Sequence, residues 1–454
     1  GYREFASYIH KVSSTSDIQN DDNKNTTIQK KKLRKEFDNR LVIIDEVHNI
    51  RLLGTTDKHD KKIANSLTKL AKYTNNMRLL LLSGTPMYNH YSEIIWLINF
   101  MNLNDNRSTI NKNDIFDKEG NFIKDDAGNE IGKDLFIHKI TGYVSFIRGE
   151  NPYIFPYRIF PSLFSSSNSI KSIQYPRATL NQKPIVNPLQ YTDIYITKLQ
   201  PYQKSIYNYI ISNFNKNKST NKKFEELDSF GYNELQHPIE ALNMVYPYKN
   251  FNDTSKIPIN QLVGKNGLQR IVDITTDENE NKQYEYKDDI LKEFGHIFSL
   301  SEIEKYSSKI FSVCKNIVNS EGVILVYSQY IEGGLIPMAL ALEELGFTRY
   351  GNSKSLFKNN DIKKNNMKYA MITGDINYSK DNVAEITACT DKNNSNGEKV
   401  KVILISRAGS EGIDLKYIRQ THILEPWYNT SRLEQILGRA IRSKSHCSLP
   451  FNKR

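Results

Sequence analysis

Cysteine is scarce in this chain: of 454 residues only three are cysteines, and Cys314, Cys389 and Cys447 lie far apart. This spacing contains no paired motif, so it indicates neither a disulfide framework nor a zinc site and predicts a reducing compartment. Long apolar runs are also missing. No stretch reaches the roughly 18 consecutive apolar residues of a membrane span, and residues 1–5 do not form a signal peptide. We therefore expect a soluble, non-secreted protein without a membrane partner.

The chain also has no initiating methionine, which predicts that it is an internal piece of a longer protein. Its length exceeds that of one ordinary core and predicts two or three domains. The net charge of +11 and the pI near 9.1 fit a nucleic-acid partner, although many basic proteins have none.

Short apolar runs predict the strands of two sheets. Residues 41–44 and 79–82 are such runs, each followed at once by small or acidic residues, and helical spacing occurs at 63–73 and 93–101. Continuous apolar strands are typical of parallel sheets buried on both faces. The fold class is therefore α/β. A second group of predicted strands comprises residues 323–327, 369–372, 402–405 and 422–424.

These patterns divide the chain into three parts. We predict a first lobe at 1–150, a connector or inserted subdomain at 151–300, and a second lobe at 301–454. Prolines and aromatic residues interrupt the periodicity of the connector, within which 203–214 predicts a helix. The polar, lysine-rich stretch 11–36 is interpreted as a surface loop.

Two carboxylates, Asp45 and Glu46, follow the first apolar run, which places them at the carboxyl edge of the sheet. Adjacent acids at such an edge suit a division of labour, with one directed toward Mg²⁺ and the other toward a water. An ordinary strand that ends in solvent can carry the same two acids, so this pair alone does not establish a functional site.

Two predicted turns also support a functional site. Hydroxyls of Ser83 and Thr85 follow the second run, although an ordinary Gly-Pro turn explains them equally well. In the second lobe, glycines at 409 and 412 lie in the segment from Ser406 to Asp414, where they allow close backbone approach to a phosphate or a nucleic-acid strand.

The run from Gln435 to Arg442 carries polar groups where helical packing does not require them. Gln435, Gly438, Arg439 and Arg442 fall at i, i+3, i+4 and i+7, so we expect them on one face of a helix. Two guanidinium groups on a rigid element suit a polyphosphate.

In order and spacing, these segments resemble the motifs of superfamily 2 helicases and translocases. Residues 45–48 resemble motif II, 83–86 motif III, 406–414 motif V and 435–442 motif VI. The stretches 83–89 and 425–429 are similar to the Swi/Snf-like branch, whose members usually translocate on duplex DNA. The resemblance implies two RecA-like lobes, the first of them incomplete at its N-terminus.

A closer resemblance covers nearly the whole chain. Residues 142–158, 327–334 and 442–450 are similar to helicase-type proteins of large nucleocytoplasmic DNA viruses, including the early transcription factor ATPase subunit and nucleoside triphosphatase I. It implies a role in viral transcription, with a viral RNA polymerase or transcription-factor subunit as partner. The implied location is the virion and host cytoplasm, or the cytoplasm or nucleus if the protein is not viral.

The resemblance also implies roles for individual residues. Asp45 would hold Mg²⁺ through water, Glu46 would position the attacking water, and His48 would couple motif II to the second lobe. Arg439 and Arg442 would face the γ-phosphate of ATP with help from Gln435. The implied nucleotide-binding residues are Ser83, Thr85, Gly412 and Asp414, and the implied nucleic-acid contacts are Ser328, Gln329, Ser406 and Arg407.

One motif of the family is missing: no Gly-x-x-x-x-Gly-Lys-Ser/Thr occurs, and Gly264-Lys265-Asn266 lacks the leading glycine and the hydroxyl. Because that loop precedes motif II in the family, truncation explains its absence best. Two hypotheses remain, an ATP-driven DNA helicase or translocase and a non-catalytic nucleic-acid-binding or scaffold subunit. The sequence upstream of Gly1 distinguishes them.

Overall fold

In the computed structural model, the chain forms two compact units. One comprises residues 1–149 with 428–432, and the other 150–427 with 433–454, so the predicted connector packs in the same unit as the second sheet. The structure describes residues 1–14, 22–50, 58–87, 90–118, 120–146, 153–173, 175–178, 184–186, 188–190, 192–217, 235–251, 256–278, 281–351, 355–358, 362–380, 382–410, 412–426 and 430–454.

The first unit contains a two-stranded parallel sheet. Its strands are β1 (Leu41–Ile44) and β2 (Arg78–Leu81), and they pair in a register that sets Ile44 beside Leu81. The carboxyl ends of both strands therefore meet at one edge, as predicted. Its helices are α1 (Tyr2–Ser13), α2 (Asp22–Phe37), α3 (Lys58–Tyr73), α4 (Glu93–Asn104), α5 (Lys112–Ile115) and α6 (Ile131–Ile140).

The surface loop expected at 11–36 is wrong for most of its length, because α2 occupies 22–37. Leu33 and Phe37, four residues apart, are buried against Ala6 and Ile9 of α1. Lysine, glutamine and arginine are good helix formers, so a basic stretch with two apolar anchors at i and i+4 forms a helix with one buried stripe.

The expected burial of the first sheet is also wrong. Leu41 and Ile43 of β1 are 60% and 57% exposed, and Leu80 of β2 is 45% exposed, whereas Ile44 is buried. In the described part of the chain this sheet has two strands, so the helices cover one face and leave apolar side chains open on the other.

The second unit contains a parallel five-stranded sheet of order β6-β7-β8-β5-β9 and an antiparallel hairpin, β3-β4. The strands are β3 (Val272–Thr276), β4 (Lys282–Tyr286), β5 (Val323–Tyr327), β6 (Thr348–Arg349), β7 (Lys368–Ile372), β8 (Val402–Ile405) and β9 (Ile418–Ile423). The four strands predicted for this lobe are thus confirmed.

The helices of the second unit begin with α7 (Pro161–Phe164) and α8 (Pro201–Asn217), the latter confirming the helix predicted at 203–214. The others are α9 (Gln236–Asn243), α10 (Gly264–Ile271), α11 (Asp288–Phe294), α12 (Ile303–Tyr306), α13 (Ser308–Val318), α14 (Ile336–Glu344), α15 (Asn382–Thr390) and α16 (Thr430–Ala440). Of α16, residues 433–440 belong to this unit and residues 430–432 to the first.

The five-stranded sheet is buried on both faces, which explains its continuous apolar strands. In β5, Ile324 and Val326 belong to one hydrophobic cluster, and Val323, Leu325 and Tyr327 belong to another on the opposite face. Successive side chains point to opposite faces of a strand, so each residue of β5 fills one core or the other. Within the described residues, no helix has the length and apolar character needed to cross a membrane.

Candidate functional site

Asp45 and Glu46 lie exposed at the carboxyl end of β1. The chain turns sharply here, because Glu46 adopts a left-handed conformation with φ 49° and ψ 44° before the 3₁₀ turn Val47–Asn49. The Tyr2 hydroxyl reaches this turn and donates to the carbonyl oxygen of Asp45 and, at 3.2 Å, to that of Glu46. Tyr2 could not be predicted as part of this site, since nothing in its local pattern shows that α1 passes beside this turn.

His48 joins the acid pair to the neighbouring strand end. Its ring is buried, with Nδ1 2.9 Å from the Ser83 hydroxyl oxygen and 3.3 Å from Glu46 Oε2. The Ser83 oxygen also accepts the Thr85 amide at 3.0 Å. The Ser83 side chain therefore bridges the two turns, and its role in nucleotide binding stays a prediction.

The acid pair fits a hydrated magnesium ion. Mg²⁺ in nucleotide sites is commonly held by one or two carboxylates, while waters and phosphate oxygens complete its shell. Asp45 Oδ1 accepts the Glu46 amide at 2.9 Å, which orients the Asp45 carboxylate. Within the described residues no group of three or more His, Cys, Asp and Glu side chains could hold a metal, so a cage supplied by protein alone is not present there.

In the second unit, Arg442 pairs with Asp414. The Nε atom of Arg442 lies 3.2 Å from Asp414 Oδ1, and its Nη2 donates to the Ile413 carbonyl at 3.4 Å. Both side chains remain partly exposed, at 39% for Arg442 and 58% for Asp414. The residues resembling motifs V and VI are thus brought together, although Asp414 contacts an arginine here.

The prediction that Arg442 shares the helix of Gln435 is wrong, because α16 ends at Ala440. The Nε atom of Arg442 donates to the Gly438 carbonyl, the oxygen to which the Arg442 amide would donate if the helix continued. The Arg442 amide instead donates to the Ser445 hydroxyl at 3.4 Å. Gln435, Gly438 and Arg439 do lie on α16, partly exposed, while Ile436 and Ala440 on its other side are buried in the core.

The four expected nucleic-acid contacts fall into two kinds. Ser328 and Ser406 are buried, and their hydroxyls donate to the Glu425 carboxylate at 2.6 Å and to the Thr373 carbonyl at 2.6 Å. These two side chains face inward, so the expectation that they contact a nucleic-acid backbone does not fit the structure. Gln329 is partly exposed and Arg407 is exposed, as such contacts require.

Several residues quoted for the resemblance lie outside the described residues. They are Tyr88 and Asn89, residues 147–152 with Arg148, Glu411, and Trp427 to Asn429. Gly412 is described and has a positive φ of 75°, with open space where a Cβ would lie, so the backbone there is accessible as expected.

Two α/β units, one with an acid pair and its histidine bridge and one with a Gly-rich turn and an arginine-bearing helix, define a helicase-type protein. Comparison with known proteins shows to which branch of the helicases the chain is related. Residues 10–127 match the SNF2-related domain and residues 308–444 the helicase conserved C-terminal domain. The chain therefore belongs to the Swi/Snf-like branch of superfamily 2, with two RecA-like lobes.

The relatives of this chain include viral proteins. A protein of Acanthamoeba polyphaga mimivirus, named as an ATP-dependent RNA helicase, is 27% identical over 91% of this chain and 58% of its own length. A termination factor NPH-I homolog of African swine fever virus (isolate Warthog/Namibia/Wart80/1980) is 23% identical over 90% of this chain and 54% of its own. The chain thus spans somewhat more than half the length of these two relatives.

Among solved structures, the Sulfolobus solfataricus SWI2/SNF2 ATPase core domain matches 89% of this chain and 60% of its own, at 13% identity. The TM-score of this match is 0.28.

Proposed function

We propose that the complete protein is an ATP-dependent motor on duplex DNA, a helicase or translocase that serves viral transcription. One observation carries the proposal: two exposed carboxylates at a strand end, with a buried histidine bridging to the hydroxyl turn of the next strand. Phosphoanhydride hydrolysis needs a cation site and an oriented water, and an acid pair of this kind supplies both.

The proposed roles follow from the contacts around the acid pair. Asp45, oriented by the Glu46 amide, would hold hydrated Mg²⁺, and the bound ion would neutralise charge on the phosphates. Glu46 orients the attacking water. His48, held between Glu46 and Ser83, transmits the state of the acid pair to the turn that contains Thr85. Arg439 and Arg442 are proposed to face the γ-phosphate, with Gln435 beside them.

The phosphate-binding loop is proposed to lie in a part of the protein that this chain does not span. Two facts support this: the relatives are longer, and the first unit leaves apolar surface uncovered. A cavity of about 570 Å³ beside β1 is lined by residues that include Phe5, Phe37, Leu41 and Ile43. Such surface suits additional sheet and helix packing.

Viral transcription is proposed from the relatives' names, which describe a termination factor in one virus and RNA helicases in another. The likeness to the Swi/Snf-like branch favours duplex DNA as the track, and the net charge of +11 is compatible with it. The proposed partners are a viral RNA polymerase or transcription-factor subunit, in the virion and host cytoplasm.

The direct test is Glu46→Gln in the complete protein. We expect ATP turnover to fall at least about 100-fold, because the carboxylate that orients the water is lost, while ATP affinity changes less than about twofold. The matched control is Glu130→Gln, which changes a partly exposed acid of the same unit that pairs with Lys133 at 3.0 Å, and it should keep full turnover. Unchanged turnover in Glu46→Gln would refute the motor.

The alternative is a non-catalytic nucleic-acid-binding or scaffold subunit, favoured by the absence of the phosphate loop from these 454 residues. ATP hydrolysis by the complete protein, measured with duplex DNA, single-stranded DNA or duplex RNA, separates the two. Stimulation greatest with duplex DNA supports the motor proposed here. The 454-residue chain alone is expected to hydrolyse ATP very slowly in the same assay, and robust hydrolysis by it would contradict the proposed placement of the loop.

A further inference from the structure

A buried polar cluster lies at the carboxyl edge of the five-stranded sheet. Asn243, at the end of α9, is fully buried and forms its centre. Its Nδ2 donates to Glu425 Oε2 at 3.1 Å and to the Gly333 carbonyl at 3.3 Å, and its Oδ1 accepts from Lys309 Nζ at 2.9 Å. One amide thus joins a connector helix, α13, the turn after β5 and the end of β9.

Glu425 joins the ends of two adjacent strands. Its Oε1 accepts from the Ser328 hydroxyl and from the Gln329 amide, both of which directly follow β5, while Glu425 itself follows β9. Lys309 also donates to the carbonyl of Leu424 beside it. The carboxylate therefore fixes the backbone at Gln329, one of the expected nucleic-acid contacts whose side chain reaches the surface.

The Gly333-Gly334 pair packs closely against this cluster. A Cβ added to Gly334 would lie 2.1 Å from the Ser328 hydroxyl oxygen, and one added to Gly333 would lie 2.8 Å from Glu240 Oε1 of α9. The Gly333-Gly334 pair therefore lets α9 approach the turn after β5 closely. Motion of α9 relative to the sheet would have to disturb the hydrogen bonds that orient Gln329.

Stability alone does not explain such a cluster. Burial raises the pKa of Glu425 and lowers that of Lys309 to about 8, because desolvation disfavours the charged form of each group. Lys309 donates to the Asn243 amide oxygen and to the Leu424 carbonyl, and Asn243 in turn donates to Glu425, so one amide joins the two charged side chains. For charged groups held in this way, geometric specification is a better-attested benefit than stability.

We propose that Asn243, Lys309 and Glu425 are positioning residues that hold Gln329 and the turn after it in the conformation that grips nucleic acid, and so couple the connector to that edge. This inference rests on the proposed motor function. It concerns the grip on the nucleic acid and leaves the chemistry at the acid pair unchanged.

The test uses the complete protein with the double variant Lys309→Met/Glu425→Gln, which removes both charges together. Each single variant leaves one charge in the cluster without the opposite charge nearby, so each should lower Tm more than the double variant does. In the double variant we expect the KM for duplex DNA in DNA-stimulated ATP hydrolysis to rise at least about fivefold. The DNA-free rate and the kcat at saturating DNA should match those of the wild type.

The matched control is Lys305→Met/Glu302→Gln, which removes an ion pair of 2.7 Å on the surface of the same unit. It should leave the KM for DNA unchanged. A folded Lys309→Met/Glu425→Gln protein with the wild-type KM for DNA would overturn the inference while leaving the motor intact. A wild-type protein whose ATP hydrolysis duplex DNA does not stimulate would instead overturn the proposed function, and this inference with it.

Discussion

His48 and Ser83 bridge the carboxyl ends of two parallel strands through a hydrogen bond of 2.9 Å between Nδ1 and the hydroxyl oxygen. The backbone supports the same junction, because the Val47 amide donates to the Leu82 carbonyl at 3.0 Å. The chain therefore ties the turn that holds the acid pair to the turn that holds Thr85, and the side chain of His48 is buried between them.

Ser83→Ala should slow ATP turnover by the complete protein about tenfold or more while changing ATP affinity less than about twofold. The reason is that His48 loses the hydroxyl that fixes its ring beside Glu46, and small misplacements near reacting groups cost large factors in rate. Steady-state hydrolysis and equilibrium nucleotide binding measure the two quantities. Ser83→Thr keeps a hydroxyl and should retain most of the turnover. Equal losses in both variants would contradict the role proposed for the His48–Ser83 hydrogen bond.

Arg442→Lys should reduce ATP turnover by about 100-fold or more with little change in stability. The pair with Asp414 is partly exposed, and exposed ion pairs contribute at most about 1 kcal/mol, so unfolding should hardly shift. Lysine keeps the charge but loses the planar fork, which matters for phosphate contact. Hydrolysis assays and urea unfolding give the two readouts. A variant that loses stability and turnover together would indicate a structural role instead.

Gly409→Ala should destabilise the second unit by about 3 kcal/mol, because a Cβ at this position would lie 2.0 Å from the backbone oxygen of Ile372. Gly438→Ala is the matched control. It has open space around the added Cβ and lies within α16, so it should stabilise the helix by about 0.5–1 kcal/mol. Urea unfolding of both variants at neutral pH compares them, and similar destabilisation in the two would contradict the packing described.

The free energy of unfolding should decrease at acidic pH because His422 is buried in the folded protein. Burial lowers the pKa of this β9 side chain from 6.5 to about 4, and its Nε2 lies 3.1 Å from Gln420 Oε1. The unfolded chain takes up a proton below pH 6.5 while the folded chain resists it, so this contribution is present above pH 6.5 and is lost as the pH falls toward 4. The loss is on the order of 3 kcal/mol.

The measurement is the free energy of unfolding at several pH values for the wild type and His422→Gln, whose amide can still reach Gln420. Other acids titrate in both proteins, so the difference between the two curves isolates His422. That difference should change between pH 6.5 and pH 4 and stay flat above. Parallel curves over the whole range would contradict the assignment.

The strands and the order of the motifs could be predicted from the sequence, because each is marked by a short run of neighbouring residues. Strands β5 and β8 read as continuous apolar segments since both faces of their sheet are covered. The helix α2 was missed even though Leu33 and Phe37 carry its signal at i and i+4, because the surrounding lysines dominate the composition.

The direction in which side chains point at the strand ends could not be predicted from the sequence. Ser328 and Gln329 are neighbours after the same strand, yet the first turns inward to Glu425 and the second reaches the surface. Nothing local distinguishes them, since the partner of Ser328 is Glu425, which lies 97 positions further along the chain. Arg442 leaves its helix for a similar reason, because Asp414 and the Ile413 carbonyl attract its guanidinium.

The sequence by itself determined the α/β class, the strand positions and the branch of helicases to which the chain belongs, because periodicity and motif spacing are local properties of the chain. Only the tertiary structure decided that Tyr2 holds the acid turn, that His48 meets Ser83, and that Asn243, Lys309 and Glu425 form one buried cluster. Each of these contacts joins residues far apart along the chain. Their geometry depends on how whole helices and strands pack, which no local pattern specifies.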